Sequence, residues 1–175
     1  MSEAWIALGS NLGRREGYLA RAVERLAQEG FAARQISHLY ETRPQGTAGE
    51  PDYLNAVLRG TTDLSPEELL RRMLRIEAEL GRPAAERAGP RTCDLDLLAY
   101  DAEVRDGEAG LCLPHPRLHQ RGFVLVPLCE LDVHWRHPLL GRTAGEMLAA
   151  LPGSPGDVRL HGPLPVPQPA ALDRS

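Results

Sequence analysis

Short apolar runs and 3.6-residue periods alternate along this chain in one order, and that order limits the folds open to it. Ala4-Trp5-Ile6-Ala7-Leu8 is an unbroken apolar run ending at Gly9-Ser10-Asn11-Leu12-Gly13, the pattern of a buried strand leaving into a turn. Tyr18, Leu19, Ala22, Val23, Leu26 and Ala27 recur at helical spacing from about Arg15 to Glu29, and Gly30 supplies the stop. Phe31 to Tyr40 reads as a second strand and Tyr53 to Thr61 as a third. Ser65-Pro66-Glu67-Glu68 joins a capping serine, a proline at the first helical position and a glutamate three residues after the cap. That combination starts a second helix, which Leu69, Leu70, Met73, Ile76 and Leu80 carry to Gly81. Thr92 to Tyr100 is a further strand. Strand, helix, strand, strand, helix, strand is the order of a ferredoxin-like α+β sandwich, a mostly antiparallel sheet with its helices on one face.

The remainder reads less regularly. Gly107 to Gly110 forms a turn before a short strand at Leu111-Cys112-Leu113, and Phe123 to Leu131 and Thr143 to Leu151 suit short helices. A chain of 175 residues with 42% hydrophobic content can bury one sizeable core. The expectation is therefore a single domain over 1–151. From Pro152 onward proline and glycine dominate without an apolar period, which predicts a mostly disordered tail over 152–175. Two loops long enough to be functional interrupt the pattern, Thr42 to Pro51 and Arg82 to Arg91.

Charge narrows the function classes. The formal net charge of -4 is mild and the signs are interspersed, so neither a nucleic-acid surface nor a polybasic membrane surface is expected. No apolar run reaches the roughly 20 residues of a membrane span, and Met1-Ser2-Glu3-Ala4-Trp5 lacks the basic start of a signal peptide. A cytoplasmic protein with small-molecule partners is expected. Cys93, Cys112 and Cys129 are odd in number and sit among aliphatic neighbours, as reduced buried thiols do. All 20 basic residues are arginine. The absence of lysine excludes Schiff-base chemistry and the Walker-type P-loop and leaves arginine forks, metals or backbone amides to hold an anion.

The sharpest local feature is Arg91-Thr92-Cys93-Asp94-Leu95-Asp96-Leu97-Leu98. Asp94 and Asp96 lie two apart in an apolar strand, so their side chains share one face with roots about 7 Å apart. They can converge on hard cations, and a magnesium pair roughly 3.5–4 Å apart is a recurring clamp for phosphoryl transfer. Taken alone, the pair also fits an ordinary half-exposed strand. Arg82, Arg87 and Arg91 bring cations to the same neighbourhood, a combination suited to a polyphosphate. Tyr53 and Asn55 share a face of the strand leaving the first loop, and Phe123 opens a later apolar segment. These aromatics belong either to the core or to a stack on a flat heterocycle whose edge Asn55 would read. His115, between two prolines and followed by Arg117 and Arg121, is either a rigid turn residue or part of a cationic site. The other histidines show no metal-ligand spacing.

Several ordered blocks carry a resemblance. They are Ala7-Leu8-Gly9-Ser10-Asn11-Leu12-Gly13, Tyr40-Glu41-Thr42 with Gln45-Gly46, Pro51-Asp52-Tyr53-Leu54-Asn55-Ala56, Gly89-Pro90-Arg91-Thr92-Cys93-Asp94-Leu95-Asp96, Pro114-His115-Pro116-Arg117 and the segment from Arg121 to Leu128. Together they resemble the hydroxymethyldihydropterin pyrophosphokinase family over about Trp5 to Leu131. The resemblance implies a ferredoxin-like monomer that moves the terminal diphosphate of ATP to 6-hydroxymethyl-7,8-dihydropterin in folate synthesis, with two magnesium ions. It implies that Asp94 and Asp96 bind the metals, and that Arg82 and Arg91 act with them in catalysis. It further implies that Glu77, Arg82, Arg87, Arg91, Leu97, His115 and Arg121 serve ATP, and that Thr42, Pro44, Gln45, Tyr53, Asn55 and Phe123 hold the pterin.

The chain departs from the family pattern in places. The loop from Arg82 to Arg91 is one residue shorter than in the best-known members, Ala84, Ala85 and Ala88 replace basic or aromatic residues, and Leu74 replaces a polar one. A non-catalytic pterin-binding module and a different metal-dependent phosphoryl or nucleotidyl transferase are the alternatives. Intact Asp94, Asp96 and Arg91 weigh against the first, and Tyr53, Asn55 and Phe123 against the second.

Overall fold

The structure is a computed structural model that describes residues 1–44, 49–81, 92–153 and 157–169. Its elements run β1 (Ser2–Ser10), α1 (Arg15–Gln28), β2 (Phe31–Ile36), β3 (Leu39–Thr42), β4 (Tyr53–Thr62), α2 (Pro66–Glu79), β5 (Asp94–Tyr100), β6 (Arg105–Asp106), β7 (Cys112–Leu113), α3 (Gly122–Asp132), α4 (Ala144–Ala149) and β8 (Val158–Gly162). The main sheet has the order β5-β1-β4-β3-β8, with β2 paired to the far half of β4. Every pairing in it is antiparallel. The first six predicted elements thus fold as the ferredoxin-like order requires.

The period of each segment decides which face it buries. Ala4, Ile6, Leu8, Leu54 and Leu58 point to one face and meet Leu19, Ala22 and Leu26 of α1 and Leu69, Met73 and Ile76 of α2. Burying each leucine, isoleucine or methionine side chain among these is worth about 1.5–3 kcal/mol. Ser65 caps α2 by accepting from the Glu68 N–H at 3.2 Å, with Pro66 at the first helical position, as the sequence requires. Trp5, Ala7, Val57 and Leu98 point the other way, onto Val124, Leu125 and Leu128 of α3 and Met147 of α4. The short helices expected after residue 122 therefore cover the second face, so helices flank the sheet on both sides. Glu130 ties α3 to β3, accepting from the Tyr40 hydroxyl at 2.7 Å and the His38 N–H at 2.9 Å.

Three expectations need correction. Phe31 to Tyr40 is two strands with a break at Ser37. There the Ser37 N–H donates to Val57 O at 3.0 Å while its hydroxyl accepts from the Val57 N–H at 2.9 Å, so a side chain replaces one rung of the ladder. Residues Gly9 and Ser10 remain in β1, and the turn begins beyond them. Finally, the segment after Pro152 contains β8, paired to β3, and Leu164 is 2% exposed within the α1–α2 core with Val166 packed beside it. Main-chain pairing and this anchor hold residues 158–166 in place without a long apolar run. Cys93 is buried, whereas Cys112 and Cys129 are half-buried, and all three are free thiols. Among the described residues no helix is long and apolar enough to cross a membrane.

Candidate active site

One row across the sheet places the chemistry. Gly9 of β1 pairs with Asp94 of β5 on one side and with Asn55 of β4 on the other. Strands are about 4.8 Å apart, so the carboxylate and the amide stand about 10 Å apart with no side chain between them. Two residues further along β1, Ala7 pairs with Asp96. Asp94 and Asp96 share a face, as the i, i+2 spacing predicts. They line a cavity of roughly 370 Å³ whose floor is Ala7 to Gly9 and whose far wall is Thr42, Pro44, Tyr53, Asn55 and Phe123.

The two ends of this cavity differ chemically. At the β3–β4 end Asn55 is buried and its Nδ2 donates to Thr42 Oγ1 at 2.9 Å, which fixes the amide plane that faces the cavity. Tyr53 and Phe123 are half-buried around it. Arg121 lies over the Phe123 ring at 5.4 Å, a cation–π contact that joins the apolar end to the charged one. At the β5 end Arg121 Nη1 lies 3.5 Å from Asp96 Oδ2 and His115 Nε2 lies 3.8 Å from Asp96 Oδ1. Burial, then the Arg121 and Arg117 charges, push the His115 imidazole down to about 4, against a smaller opposing pull from Asp94. The ring is neutral at physiological pH, with Nδ1 accepting from the Arg117 N–H at 3.2 Å. A second cavity of roughly 520 Å³ shares Thr42, Pro44 and Phe123 and continues between Leu148, Leu151 and Val158.

Glu77 stands behind the acidic strand. It projects from α2, is buried, and accepts from the Leu95 N–H at 2.7 Å, so it holds the strand segment between the two aspartates. Leu97 is 4% exposed and packs into the α1–α2 core. Its side chain faces away from the cavity, because alternation puts it opposite Asp96, and only its backbone can meet a ligand. Gln45, Arg82, Arg87 and Arg91 lie outside the described residues. Sequence reasoning omitted Arg43 and Gln120 from the site, used Arg117 only as a neighbouring charge and read Gly9 as a turn, yet all four line the cavity. Gly9 left a signal: it is a residue without a side chain inside an apolar strand, a mark of close approach.

The donor set suits magnesium. Two carboxylates aimed into one cavity offer hard oxygen ligands, and magnesium usually takes one or two carboxylates and completes its shell with water and substrate phosphates. Among the described residues no group of three or more His, Cys, Asp or Glu side chains could hold a metal by itself.

Residues 5–133 match the family described as 7,8-dihydro-6-hydroxymethylpterin-pyrophosphokinase (HPPK). The chain belongs to this family. A protein of Bacillus subtilis (strain 168) named 2-amino-4-hydroxy-6-hydroxymethyldihydropteridine pyrophosphokinase is 46% identical over 129 residues, covering 73% of this chain and 77% of that protein. The Methylorubrum extorquens protein of the same name is 42% identical over 153 residues, 86% of this chain and 94% of its own length. The folic acid synthesis protein fol1 of Pneumocystis carinii is 39% identical over 137 residues, but the chain spans only 18% of that longer protein. A crystal structure of Plasmodium falciparum HPPK-DHPS A437G with STZ-DHP superposes with a TM-score of 0.67 at 13% identity, covering 85% of this chain and 45% of that one. That likeness speaks to the fold alone, and it agrees with an HPPK domain in which helices flank an antiparallel sheet.

Proposed function

We propose that this HPPK chain transfers the terminal diphosphate of ATP to the hydroxymethyl group of 6-hydroxymethyl-7,8-dihydropterin, releasing AMP and the pterin diphosphate. The observation that carries the reading is the Asp94–Gly9–Asn55 row. It sets a carboxylate pair and a buried amide reader at opposite ends of one cavity, with bare backbone between them for the two substrates to meet.

Each described residue has a part. Tyr53 and Phe123 sandwich the flat pterin, Asn55 reads its donor and acceptor edge, and Thr42 and Pro44 close that end. Asp94 and Asp96 would hold two magnesium ions, which would supply positive charge beside the transferring phosphates and the attacking hydroxyl. Arg121 and neutral His115 face the polyphosphate. Arg82, Arg87, Arg91 and Gln45 join the site from outside the described residues. The pterin hydroxyl oxygen forms a bond to the β-phosphorus as the bond from that phosphorus to the bridging oxygen breaks. AMP leaves with that oxygen and the hydroxyl proton passes to solvent. Most of the acceleration comes from positioning and from charges fixed in advance. We further read the protein as a cytoplasmic monomer.

The test is a mass-spectrometric product assay with ATP, magnesium and the reduced pterin, repeated with the metal chelated and with Asp94→Ala. AMP and pterin diphosphate are expected only in the intact, metal-replete reaction. Pterin binding without AMP would leave a non-catalytic module, and ATP turnover with unmodified pterin would require another acceptor.

A further inference from the structure

The base of the loop that ends the pterin side of the cavity is held from outside. Thr42 closes β3 and Tyr53 opens β4, and they face each other in the register. Glu41 and Asp52, the residues that immediately precede Thr42 and Tyr53 in the chain, meet one arginine from β8. Arg159 lies directly opposite Glu41 in the β3–β8 pairing. Its Nη2 sits 3.2 Å from Glu41 Oε1 and 2.9 Å from Asp52 Oδ2, so the side chain crosses β3 to reach the start of β4. Arg15, the first residue of α1, completes the ring: its Nη1 lies 2.9 Å from Glu41 Oε2 and 2.8 Å from the Asp52 carbonyl oxygen. Asn11 holds the next residue back, donating to Pro51 O at 3.2 Å. His161, on the same face of β8, reaches Glu16 Oε1 at 2.8 Å.

We infer that Arg159 is a positioning residue for the pterin end of the site, acting through Glu41 and Asp52 to fix the separation of Thr42 and Tyr53. The inference rests on the proposed placement of the pterin among Thr42, Tyr53, Asn55 and Phe123. The charges involved are a quarter to half exposed, and exposed pairs add little to global stability. The clamp therefore acts on the spacing of the two strand ends far more than on folding. Two carboxylates at the mouth of the loop are drawn onto one guanidinium, and the strand ends bearing the ring and the hydroxyl are held with them. β8 is thereby part of the functional domain.

The experiment uses the full chain with magnesium and ATP. In Arg159→Ala the KM for the pterin should rise about fivefold, with the KM for ATP, kcat and the thermal midpoint little changed. Arg159→Lys, whose ammonium can still bridge both carboxylates, should restore the wild-type KM. In Asp52→Asn/Arg159→Ala the KM should be no higher than in Arg159→Ala alone. An unchanged pterin KM in Arg159→Ala, no rescue by lysine, or strict additivity in the double variant would each overturn the inference. Asn55→Ala separates the two levels of the argument. If it abolishes pterin binding while Arg159→Ala does not alter it, only the clamp fails. If Asn55→Ala leaves pterin affinity intact, the placement of the pterin itself is wrong.

Discussion

Gly9 and Asn55 face each other across β1 and β4 so closely that a Cβ on Gly9 would sit 3.3 Å from Asn55 Oδ1 and 3.8 Å from the Tyr53 ring. The glycine is needed there for room, since the backbone is ordinary strand that any residue can adopt. Gly9→Ala should lower pterin affinity about tenfold, equivalent to about 1.4 kcal/mol. Its thermal midpoint should stay level or rise, because alanine costs less backbone entropy than glycine. Fluorescence titration of the pterin alongside a melting curve checks both halves, and loss of stability with affinity intact would contradict the reading.

Gly60 is constrained for a different reason. A Cβ there would lie 2.4 Å from Ala32 O and 2.5 Å from the Phe31 ring, and neither the β2 backbone nor a fully buried phenylalanine can yield cheaply. Gly60→Ala should cost about 1–3 kcal/mol by overpacking, read as a lower urea midpoint with unchanged slope. A variant as stable as wild type would show that β2 shifts freely.

Glu77 holds the acidic strand through the Leu95 N–H. Glu77→Ala strands a buried donor and should destabilise the fold by about 1–3 kcal/mol. Glu77→Gln keeps an acceptor in place and should lose less. If the two substitutions prove equal in thermal unfolding, the oxygen contributes nothing through that bond.

His137 is 2% exposed, and its Nδ1 accepts from the Leu139 and Leu140 N–H groups at 3.2 and 3.0 Å. Burial first, then the neighbouring His119, holds its imidazole below the usual 6.5. The unfolded chain therefore binds the proton more readily, so this group's contribution is complete above about pH 6.5 and is lost as pH falls below it toward the lowered value. Urea midpoints at pH 7.5 and 5.5 should fall more for wild type than for His137→Asn, whose amide oxygen can accept the same bonds without titrating. Equal falls would assign the acid sensitivity elsewhere.

The acidic pair was legible because strand alternation leaves no choice of face: Asp94 and Asp96 had to point together, and Leu97 by the same rule had to point away. Ser65 and Pro66 marked the start of α2 because capping uses local chemistry. The break at Ser37 was hidden because a hydroxyl took the place of a backbone rung, which leaves the apolar pattern of both half-strands intact. β8 was hidden for another reason. Its Leu160 is 66% exposed, and an edge strand secured by main-chain bonds and two arginine–carboxylate contacts shows no core-facing stripe. Arg43 and Gln120 reach the cavity through the meeting of segments far apart in sequence, which no local pattern records.

The pairing of β3 with β8 joins residues 39–42 to residues 158–162, a contact that cannot form until the segments between them have left the ribosome. Domains begin to organise while synthesis proceeds, and distant pairings come late. The acidic end of the cavity depends on β1, β4 and β5 and can assemble early. The end at Asn55 gains its Arg159 bridge only once β8 has paired, so the two ends of one cavity are completed at different stages of folding.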